Sequence, residues 1–316
     1  NIDIILKGVQ FMKYTTLAGL EVSRVAQGCM RIGGLTPAQI DEVIKTDIEN
    51  GINYFDHADI YGGGVCEEKF GNFLCANPSL REKIFVQTKC GIKPGSYDFD
   101  KEYIISCVEK SLKRLKVDYL DFLLLHRPDT LCEPERVAEA FNILYDSEKV
   151  RNFGVSNHNP YQIELLNKYM QPERRILVNQ LQFSITNTGM IDCGLNVNMD
   201  KDAGINRDGM VLDYCRLNDI TIQPWSPFQF GFFGGTFIGN PNYEELNKKL
   251  EEIGEKYGTN STGMAIAWIL RHPAKMQPII GTVNPERIKT IANAADITIT
   301  HDEWYELYRA SGKTLP

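Results

Sequence analysis

Short apolar segments alternate with longer segments of helical periodicity along almost the whole chain. Short segments rich in branched and aromatic residues are typical of buried parallel strands. Strands that alternate with helices predict βαβ units, and eight such units close into a barrel. We therefore predict an α/β fold, a (β/α)8 TIM barrel. Its eight strands are expected at residues 26–32, 53–58, 84–90, 119–126, 152–156, 177–183, 221–226 and 277–281.

The segments between these strands carry apolar residues at helical spacing. In segment 37–50, Pro37 after Thr36 favours a helix start, and the apolar positions are Ile40, Val43, Ile44 and Ile48. Segment 103–116 repeats the pattern. Two further amphipathic segments, 243–257 and 301–310, do not fit the alternation and predict two extra helices. Ahead of the first strand, two β-rich runs around Gly19 predict an N-terminal β-hairpin.

By length alone, a chain of 316 residues is compatible with two domains, but barrels of this size fold as one. We predict a single barrel domain over residues 12–316. Residues 1–11 precede Met12 and are interpreted as upstream sequence or as residues added for expression. One polar segment, 188–207, is rich in Asn, Asp and Gly and has no helical period. It predicts a long loop between the sixth strand and its helix, on the face where the strands end.

Composition argues against several classes of partner. The net charge of −7 argues against binding to nucleic acid or to an anionic membrane surface. No apolar run reaches the roughly 18 residues that a membrane span needs. The eight cysteines form neither a C-x-x-C pair nor a zinc-binding spacing. They are predicted to be reduced thiols in a cytoplasmic protein that holds no metal.

Four polar residues lie at or just after the ends of successive predicted strands. Asp56 and Tyr61 are found in FDHADIYG, Lys89 in FVQTKCG and His126 in DFLLLHRPD. The carboxyl ends of the strands of a parallel barrel meet at one face, where active sites of this fold lie. We therefore expect the four side chains to converge there.

An acid, a phenol, an amine and an imidazole together suit proton donation to an oxygen that gains negative charge. The pKa of a free tyrosine, about 10, is too high for efficient proton exchange at neutral pH, and a nearby ammonium lowers it. Each residue alone has a structural explanation as a helix cap, an ion pair, a packing residue or a solvated charge. The joint placement favours catalysis of carbonyl reduction, whereas His57 and Asp59 are assigned to local structure.

These motifs resemble those of the aldo-keto reductases, and the resemblance covers essentially Met12 to the C-terminal helix. FDHADIYG is similar to the family's D-x-A-x-x-Y-G motif, and TKCG, LLLHRPD, GVSN, NQLQFS, PWSP and GTVNPERI follow in family order. The resemblance implies a (β/α)8 barrel that reduces carbonyls with NADPH. It also implies that Tyr61 is the general acid, that Lys89 lowers its pKa, that Asp56 pairs with Lys89 and that His126 orients the substrate.

The resemblance further implies where NADPH or NADP+ is bound. Ser156, Asn157 and Gln180 would hold the nicotinamide carboxamide, and Trp225 would stack on the nicotinamide ring. Arg287 presents the fork of donors that suits the adenosine 2′-phosphate. The expected cofactor contacts are Gly28, Met30, Ser156, Asn157, Gln180, Trp225, Ser226, Phe228, Gly231, Gly281, Thr282, Asn284 and Arg287.

Three positions depart from the family pattern. Cys66 stands where many relatives have a small hydroxyl residue, and Ile291 where some have an amide that contacts adenine. Gly281 stands where some have a phosphate-binding lysine, which leaves more of the phosphate contact to Arg287. The glycine-rich stretches do not form G-x-G-x-x-G, so the sequence does not support a Rossmann site.

The sequence therefore predicts a cytoplasmic enzyme, a monomer or small homo-oligomer, that reduces a small-molecule carbonyl with hydride from NADPH and a proton from Tyr61. Segments 30–34 and 188–207 are expected to set substrate choice. Two alternatives stay open. One is an NADPH-binding sensor subunit with slow turnover, and the other is a (β/α)8 isomerase or aldolase that uses Lys89 as a base or Schiff-base nucleophile.

Overall fold

The computed structural model describes residues 14–232 and 234–316. This part of the chain opens with an antiparallel hairpin of β1 (Tyr14–Leu17) and β2 (Leu20–Ser23). Ala18 and Gly19 in its turn both have positive φ, which matches the twist of the flanking strands. The hairpin is therefore found where the sequence predicts it. Met12 and the preceding residues 1–11 lie outside the described residues.

Eight parallel strands form a closed barrel, which confirms the predicted fold. A separate small hairpin of β6 (Ile92–Lys93) and β7 (Ser96–Tyr97) interrupts their succession. The last barrel strand pairs with the first and closes the ring. The barrel strands are β3 (Ala26–Gly28), β4 (Tyr54–Asp56), β5 (Phe85–Cys90), β8 (Leu120–Leu125), β9 (Val150–Ser156), β10 (Ile176–Gln182), β11 (Thr221–Trp225) and β12 (Ile279–Ile280).

Helices surround the barrel, and several begin with capping residues. Thr36 and Gln39 form a capping box at the start of α1, and Thr300 and Glu303 form one at the start of α11. None of the helices in the described ranges is long and apolar enough to cross a membrane. The helices are α1 (Pro37–Glu49), α2 (Val65–Ala76), α3 (Lys101–Leu115), α4 (Pro134–Asp146), α5 (Pro160–Asn167), α6 (Gly189–Leu195), α7 (Val211–Leu217), α8 (Glu244–Lys256), α9 (Ser261–Leu270), α10 (Pro285–Ala294) and α11 (His301–Ala310).

The two predicted extra helices are α8 and α11. They pack against each other, and Lys249 of α8 forms an ion pair with Glu306 of α11 at 2.9 Å. Tyr257, just after α8, donates a hydrogen bond to Glu303 at 2.6 Å. The two extra helices are therefore joined directly, and α8 also packs against α9.

The first barrel strand is shorter than predicted. It ends at Gly28, and residues Cys29–Gly34 form a 3-10 helix instead of continuing to residue 32. A Cβ at Gly28 would lie 2.9 Å from the carbonyl oxygen of Ile280, so the first and last strands meet too closely there for any side chain. The apolar run past Gly28 packs into the core from a helical turn, a distinction that hydrophobicity alone does not make.

The segment 188–207, predicted as a loop, is partly helical. It contains α6 and a 3-10 turn at Asp202–Gly204. The helix buries Met190, Ile191 and Cys193, and the Tyr308 hydroxyl donates a hydrogen bond to Asp192 at 2.8 Å. A helix of seven residues is too short to be stable from its own sequence, so it depends on contacts with the 3-10 turn, α7 and Tyr308 of α11.

The N-terminal hairpin covers the amino end of the barrel. Leu17 and Val22 are buried in one cluster with the barrel residues Tyr54, Phe122 and Val178. β2 leads directly into β3, so this cluster lies where the strands begin. The opposite end, where the strands finish, is left for a site.

Candidate active site

The four residues expected at strand ends all lie at the carboxyl end of the barrel. Asp56 is the last residue of β4, Lys89 is the next-to-last of β5, and His126 directly follows β8. Tyr61 opens a 3-10 turn after β4. Residues 62–64 of this turn are glycines with positive φ, a conformation that other residues rarely adopt.

The Lys89 side chain is fully buried, and each of its three ammonium protons has an acceptor. Its Nζ lies 2.8 Å from a carboxylate oxygen of Asp56, 2.7 Å from the carbonyl oxygen of His57 and 3.2 Å from the Tyr61 hydroxyl. Burial alone would lower the pKa of Lys89, but Asp56 and Tyr61 outweigh it and raise that pKa. The amine therefore stays charged and fixed at neutral pH.

The pKa of Tyr61 is raised overall, whereas the sequence predicts that Lys89 lowers it. Burial raises the pKa of Tyr61 above its ordinary value, and Asp56 adds to this, while Lys89 acts in the opposite direction. The expected lowering by Lys89 is present, but desolvation of the phenolate is the larger effect. The hydroxyl is consequently protonated at neutral pH and can serve as a donor.

The His126 ring lies beside Tyr61, with ring centroids 6.0 Å apart and an angle of 80° between the planes. Burial, with Lys89 and Arg127 nearby, holds the pKa of His126 well below 6.5. The ring is therefore neutral. Its Nδ1 is buried without a hydrogen-bond partner, which leaves Nε2 as the nitrogen that can face a carbonyl oxygen.

The four residues expected at the nicotinamide are joined by hydrogen bonds in the structure. Asn157, which has positive φ, donates through Nδ2 to the Ser156 hydroxyl at 2.7 Å. The Trp225 indole donates to Asn157 Oδ1 at 3.1 Å, and Ser156 donates to the carbonyl oxygen of Gln180 at 3.1 Å. The edge of the indole is therefore held in place, so its flat face has a set orientation.

The Gln180 side chain turns toward the barrel interior. Its amide nitrogen donates to Asp56 Oδ1 at 3.0 Å and to Gln223 Oε1 at 3.2 Å. Both amide protons are thus used within the protein. Only the amide oxygen is left for the carboxamide that the sequence assigns to this residue.

The remaining cofactor positions lie on the loops at the same end. Met30 belongs to the 3-10 helix after β3 and is exposed, while Gly28 ends β3. The segment after β11 contains Ser226 and Gly231, both with positive φ, and the Gly231 carbonyl accepts a hydrogen bond from Gln182. Phe228, in the same segment, is half-buried and packs against the core.

The segment after β12 leads into the amino terminus of α10. Asn284 caps this helix by accepting a hydrogen bond from the backbone nitrogen of Arg287 at 3.0 Å. Thr282 is buried and Gly281 is half-buried. The Arg287 side chain is exposed and forms no ion pair within the described part of the chain, so its guanidinium is available to an anion at a helix start.

Two residues near the site are not among those predicted from the sequence. Gln87 of β5 donates to Asp56 Oδ1 at 2.5 Å, and its signal is a polar residue inside the apolar run FVQTKC. The Arg127 guanidinium lies 5.7 Å from the Trp225 ring centroid. His57 supplies a carbonyl to Lys89, although its ring is buried edge-on to Phe70, as its assignment to local structure expects.

All eight cysteines lie in the described part of the chain as free thiols. Cys66 is buried, its Sγ lies 3.3 Å from the carbonyl oxygen of Met30, and burial raises the pKa of this thiol. Within residues 14–232 and 234–316, no group of three or more His, Cys, Asp or Glu side chains is arranged to hold a metal ion.

Comparison with known proteins gives consistent results. The family model described as Aldo/keto reductase family matches residues 24–311. The 6-dehydroglucose reductase of Agrobacterium fabrum is 36% identical over 310 residues, covering 94% of this chain and 97% of that protein. Oxidoreductase YdhF of Escherichia coli is 32% identical over 304 residues, covering 93% and 95%.

Solved structures show the same fold. The thermostable aldo-keto reductase Tm1743, in complex with the inhibitor epalrestat, has a TM-score of 0.75 and 25% identity, covering 95% of this chain and 100% of that one. An aldo-keto reductase from Klebsiella pneumoniae in complex with NADPH also has a TM-score of 0.75, with 21% identity and 95% of each chain covered.

Proposed function

Because the chain belongs to the aldo/keto reductase family, we propose that it reduces a small-molecule aldehyde or ketone to an alcohol with NADPH. NADPH, when bound, supplies the hydride to the carbonyl carbon. Tyr61 donates the proton to the carbonyl oxygen, and neutral His126 orients that oxygen. The observation that carries the proposal is the buried Lys89 ammonium, held between Asp56 and the Tyr61 hydroxyl.

Each residue has a role that its surroundings support. Tyr61 is protonated at neutral pH because burial raises its pKa, so it meets a carbonyl oxygen as a donor. As the proton leaves, negative charge appears on the phenol oxygen, 3.2 Å from Lys89 Nζ. The ammonium stabilises that charge in a site shielded from water. Asp56 and the His57 carbonyl hold the ammonium in position.

The residues at the barrel mouth fit the nicotinamide cofactor. The Trp225 ring is held by Asn157 in a fixed orientation for stacking. A Cβ at Gly231 or Gly281 would meet nothing within 4 Å, so both positions leave open space for a bound group. Arg287, exposed beside the start of α10, suits the 2′-phosphate.

The Lys89 contacts argue against the isomerase and aldolase alternative. A Schiff-base lysine must lose its proton to attack a carbonyl, which a lowered pKa favours. Here Asp56 and Tyr61 raise the pKa of Lys89, and all three of its protons are engaged. Borohydride in the presence of an aldehyde should therefore trap no adduct at this residue.

The proposal is tested with Tyr61→Phe, which keeps the ring and removes the proton donor. We expect kcat/KM for a panel of aldehydes to fall by about 10²–10⁴-fold. The dissociation constant for NADPH should stay near that of the wild type. Tyr161→Phe, at a highly exposed tyrosine on α5, is the matched control and should keep full activity.

Other outcomes would change the conclusion. Wild-type rates in Tyr61→Phe would remove Tyr61 as the acid while leaving the family assignment intact. Tight NADPH binding with negligible reduction of every carbonyl tested would instead favour the sensor alternative.

A further inference from the structure

A chain of buried glutamines crosses the barrel interior below the catalytic carboxylate. Gln87 of β5 donates to Asp56 Oδ1 and, at 2.9 Å, to Gln223 Oε1. Gln223 of β11 donates to Gln277 Oε1 at 2.9 Å. Gln277 donates to the backbone carbonyl of Ser23, at the end of the N-terminal hairpin, at 2.7 Å. All of these side chains are buried among the apolar residues of the barrel.

The hydrogen bond from Gln277 to the Ser23 carbonyl fixes the orientation of the other amides in this series of glutamines. The Ser23 carbonyl can only accept a hydrogen bond, so Gln277 must present its nitrogen to it. The Gln277 oxygen then faces Gln223, which must present its own nitrogen in turn. The Gln223 oxygen is thereby left facing Gln87 and Gln180, which both donate to it. A reversal of any one amide would place two donors or two acceptors together.

This orientation determines which groups donate hydrogen bonds to Asp56. Gln87 and Gln180 each present an N–H to Asp56 Oδ1, at 2.5 and 3.0 Å. Tyr54 donates to Gln87 Oε1 at 2.7 Å, which supports the same orientation of the Gln87 amide. Two N–H donors match an ionised carboxylate, which accepts hydrogen bonds but cannot donate one. Oδ1 therefore accepts hydrogen bonds from both glutamines, and each oxygen of the carboxylate lies 2.8 Å from Lys89 Nζ.

We propose that Gln87 is a positioning residue for carbonyl reduction, which orients Asp56 and through it the Lys89 ammonium toward Tyr61. This inference rests on the proposed function of the same site. The side-chain hydrogen bonds of Gln87 go to Tyr54, Asp56 and Gln223 and not to Lys89 or Tyr61, so its polar influence on them passes through the carboxylate. The series of glutamine hydrogen bonds also connects the N-terminal hairpin to the opposite end of the barrel.

Loss of the hydrogen bond from Gln87 to Asp56 should change the pKa of Tyr61 in a direction that can be measured. Lys89 lowers the pKa of Tyr61, against burial and Asp56, which raise it. If Asp56 turns, Lys89 is held less well, and because Lys89 influences the pKa of Tyr61 more strongly than Asp56 does, that pKa rises further. Alcohol oxidation needs the phenolate, so its pH profile should move to higher pH. Besides Lys89 and Asp56, the titratable groups around Tyr61 are Cys29 and His126.

The test is Gln87→Met, which keeps the length of the side chain and removes its donors. We expect kcat for aldehyde reduction to fall by about 10–100-fold, the factor that one hydrogen bond to a charged group contributes. KM and the dissociation constant for NADPH should change little. In alcohol oxidation with NADP+, the rise of kcat with pH should shift upward.

Gln277→Met provides a second variant farther from the catalytic residues. It frees Gln223 to reverse, so it should shift the same pH profile by a smaller amount. Gln27→Met is the matched control, because Gln27 is equally buried but donates only to the carbonyls of Gly28 and Thr282. Its pH profile should coincide with that of the wild type.

The inference is overturned if folded Gln87→Met binds NADPH and keeps the wild-type kcat and pH profile. It is also overturned if Gln87→Met loses stability without any shift of the profile, since that describes packing alone. Failure of the proposed function is distinguishable, because the wild type itself would then reduce no carbonyl.

Discussion

Arg127 directly follows His126, just after the carboxyl end of β8. Its guanidinium lies 5.7 Å from the ring centroid of Trp225 and 5.6 Å from that of Phe232, within the range of cation–π attraction. In the described residues it forms no ion pair with a carboxylate. If the proposed carbonyl site is correct, a half-buried cation beside it would favour substrates that carry an anionic group.

Arg127→Met should therefore change substrate preference more than overall activity. We expect the ratio of kcat/KM for 4-carboxybenzaldehyde to that for benzaldehyde to fall by about 10–100-fold. Arg175→Met, at an exposed arginine directly before β10, should leave the ratio unchanged. An unchanged ratio in Arg127→Met would show that Arg127 only packs on the aromatic rings.

At the scale of elements, α6 shows how a short helix is held by its neighbours. Asp192 accepts hydrogen bonds from the Tyr308 hydroxyl at 2.8 Å and from Lys313 Nζ at 3.3 Å. The expectation that segment 188–207 contacts the substrate stays a prediction. The contacts of α6 that the structure describes lie with the 3-10 turn Asp202–Gly204, with α7, and through Asp192 with Tyr308 of α11 and Lys313.

Asp192→Asn should lower the free energy of unfolding by about 1–3 kcal/mol, because it weakens hydrogen bonds to a charged acceptor. Tyr308→Phe removes one of the same bonds from the other side. The double variant should then lose less than the sum of the single variants, measured by urea unfolding. Additive losses would mean that this hydrogen bond does not couple α6 to α11. The kcat of the single variants should remain that of the wild type.

For the whole molecule, buried neutral histidines link stability to pH. Burial lowers the pKa of His57 to about 3 and the pKa values of His158 and His272 to about 4. Below about pH 6.5 the unfolded chain binds these protons and the folded chain does not, so the free energy of unfolding decreases as the pH is lowered. Asp59 opposes this trend, because burial raises its pKa to about 6 and the folded state takes up that proton first.

His57→Leu should isolate one of these contributions. The histidine contribution is complete above about pH 6.5 and is lost progressively down to about pH 3. The variant should therefore gain stability relative to the wild type as pH falls from 6 to 4, by about 1.4 kcal/mol per pH unit. Urea unfolding across this range measures the difference. A difference that does not change with pH would show that His57 is protonated in the folded protein.

Lys89 and Gln87 lie on the same strand, β5, but only one of them was predictable from the sequence as a site residue. Lys89 is recognisable because it ends an apolar run, at the position where barrel strands present side chains to a common face. Gln87, two residues earlier, points into the barrel, and its partners Asp56 and Gln223 are 31 and 136 residues away in sequence. A polar residue inside an apolar run marks the position of Gln87, but no local pattern identifies its partners.

The sequence by itself determined the barrel and the end at which its polar residues gather, because hydrophobic periodicity is a local property and the handed βαβ connection leaves few alternatives. Tertiary structure alone decided the end of β3 at Gly28, the helical state of α6 and the net rise in the pKa of Tyr61. Each of these depends on close approach or desolvation by residues distant in the chain. Burial is a property of the assembled barrel, and it is the larger influence on the phenol that the sequence assigns to catalysis.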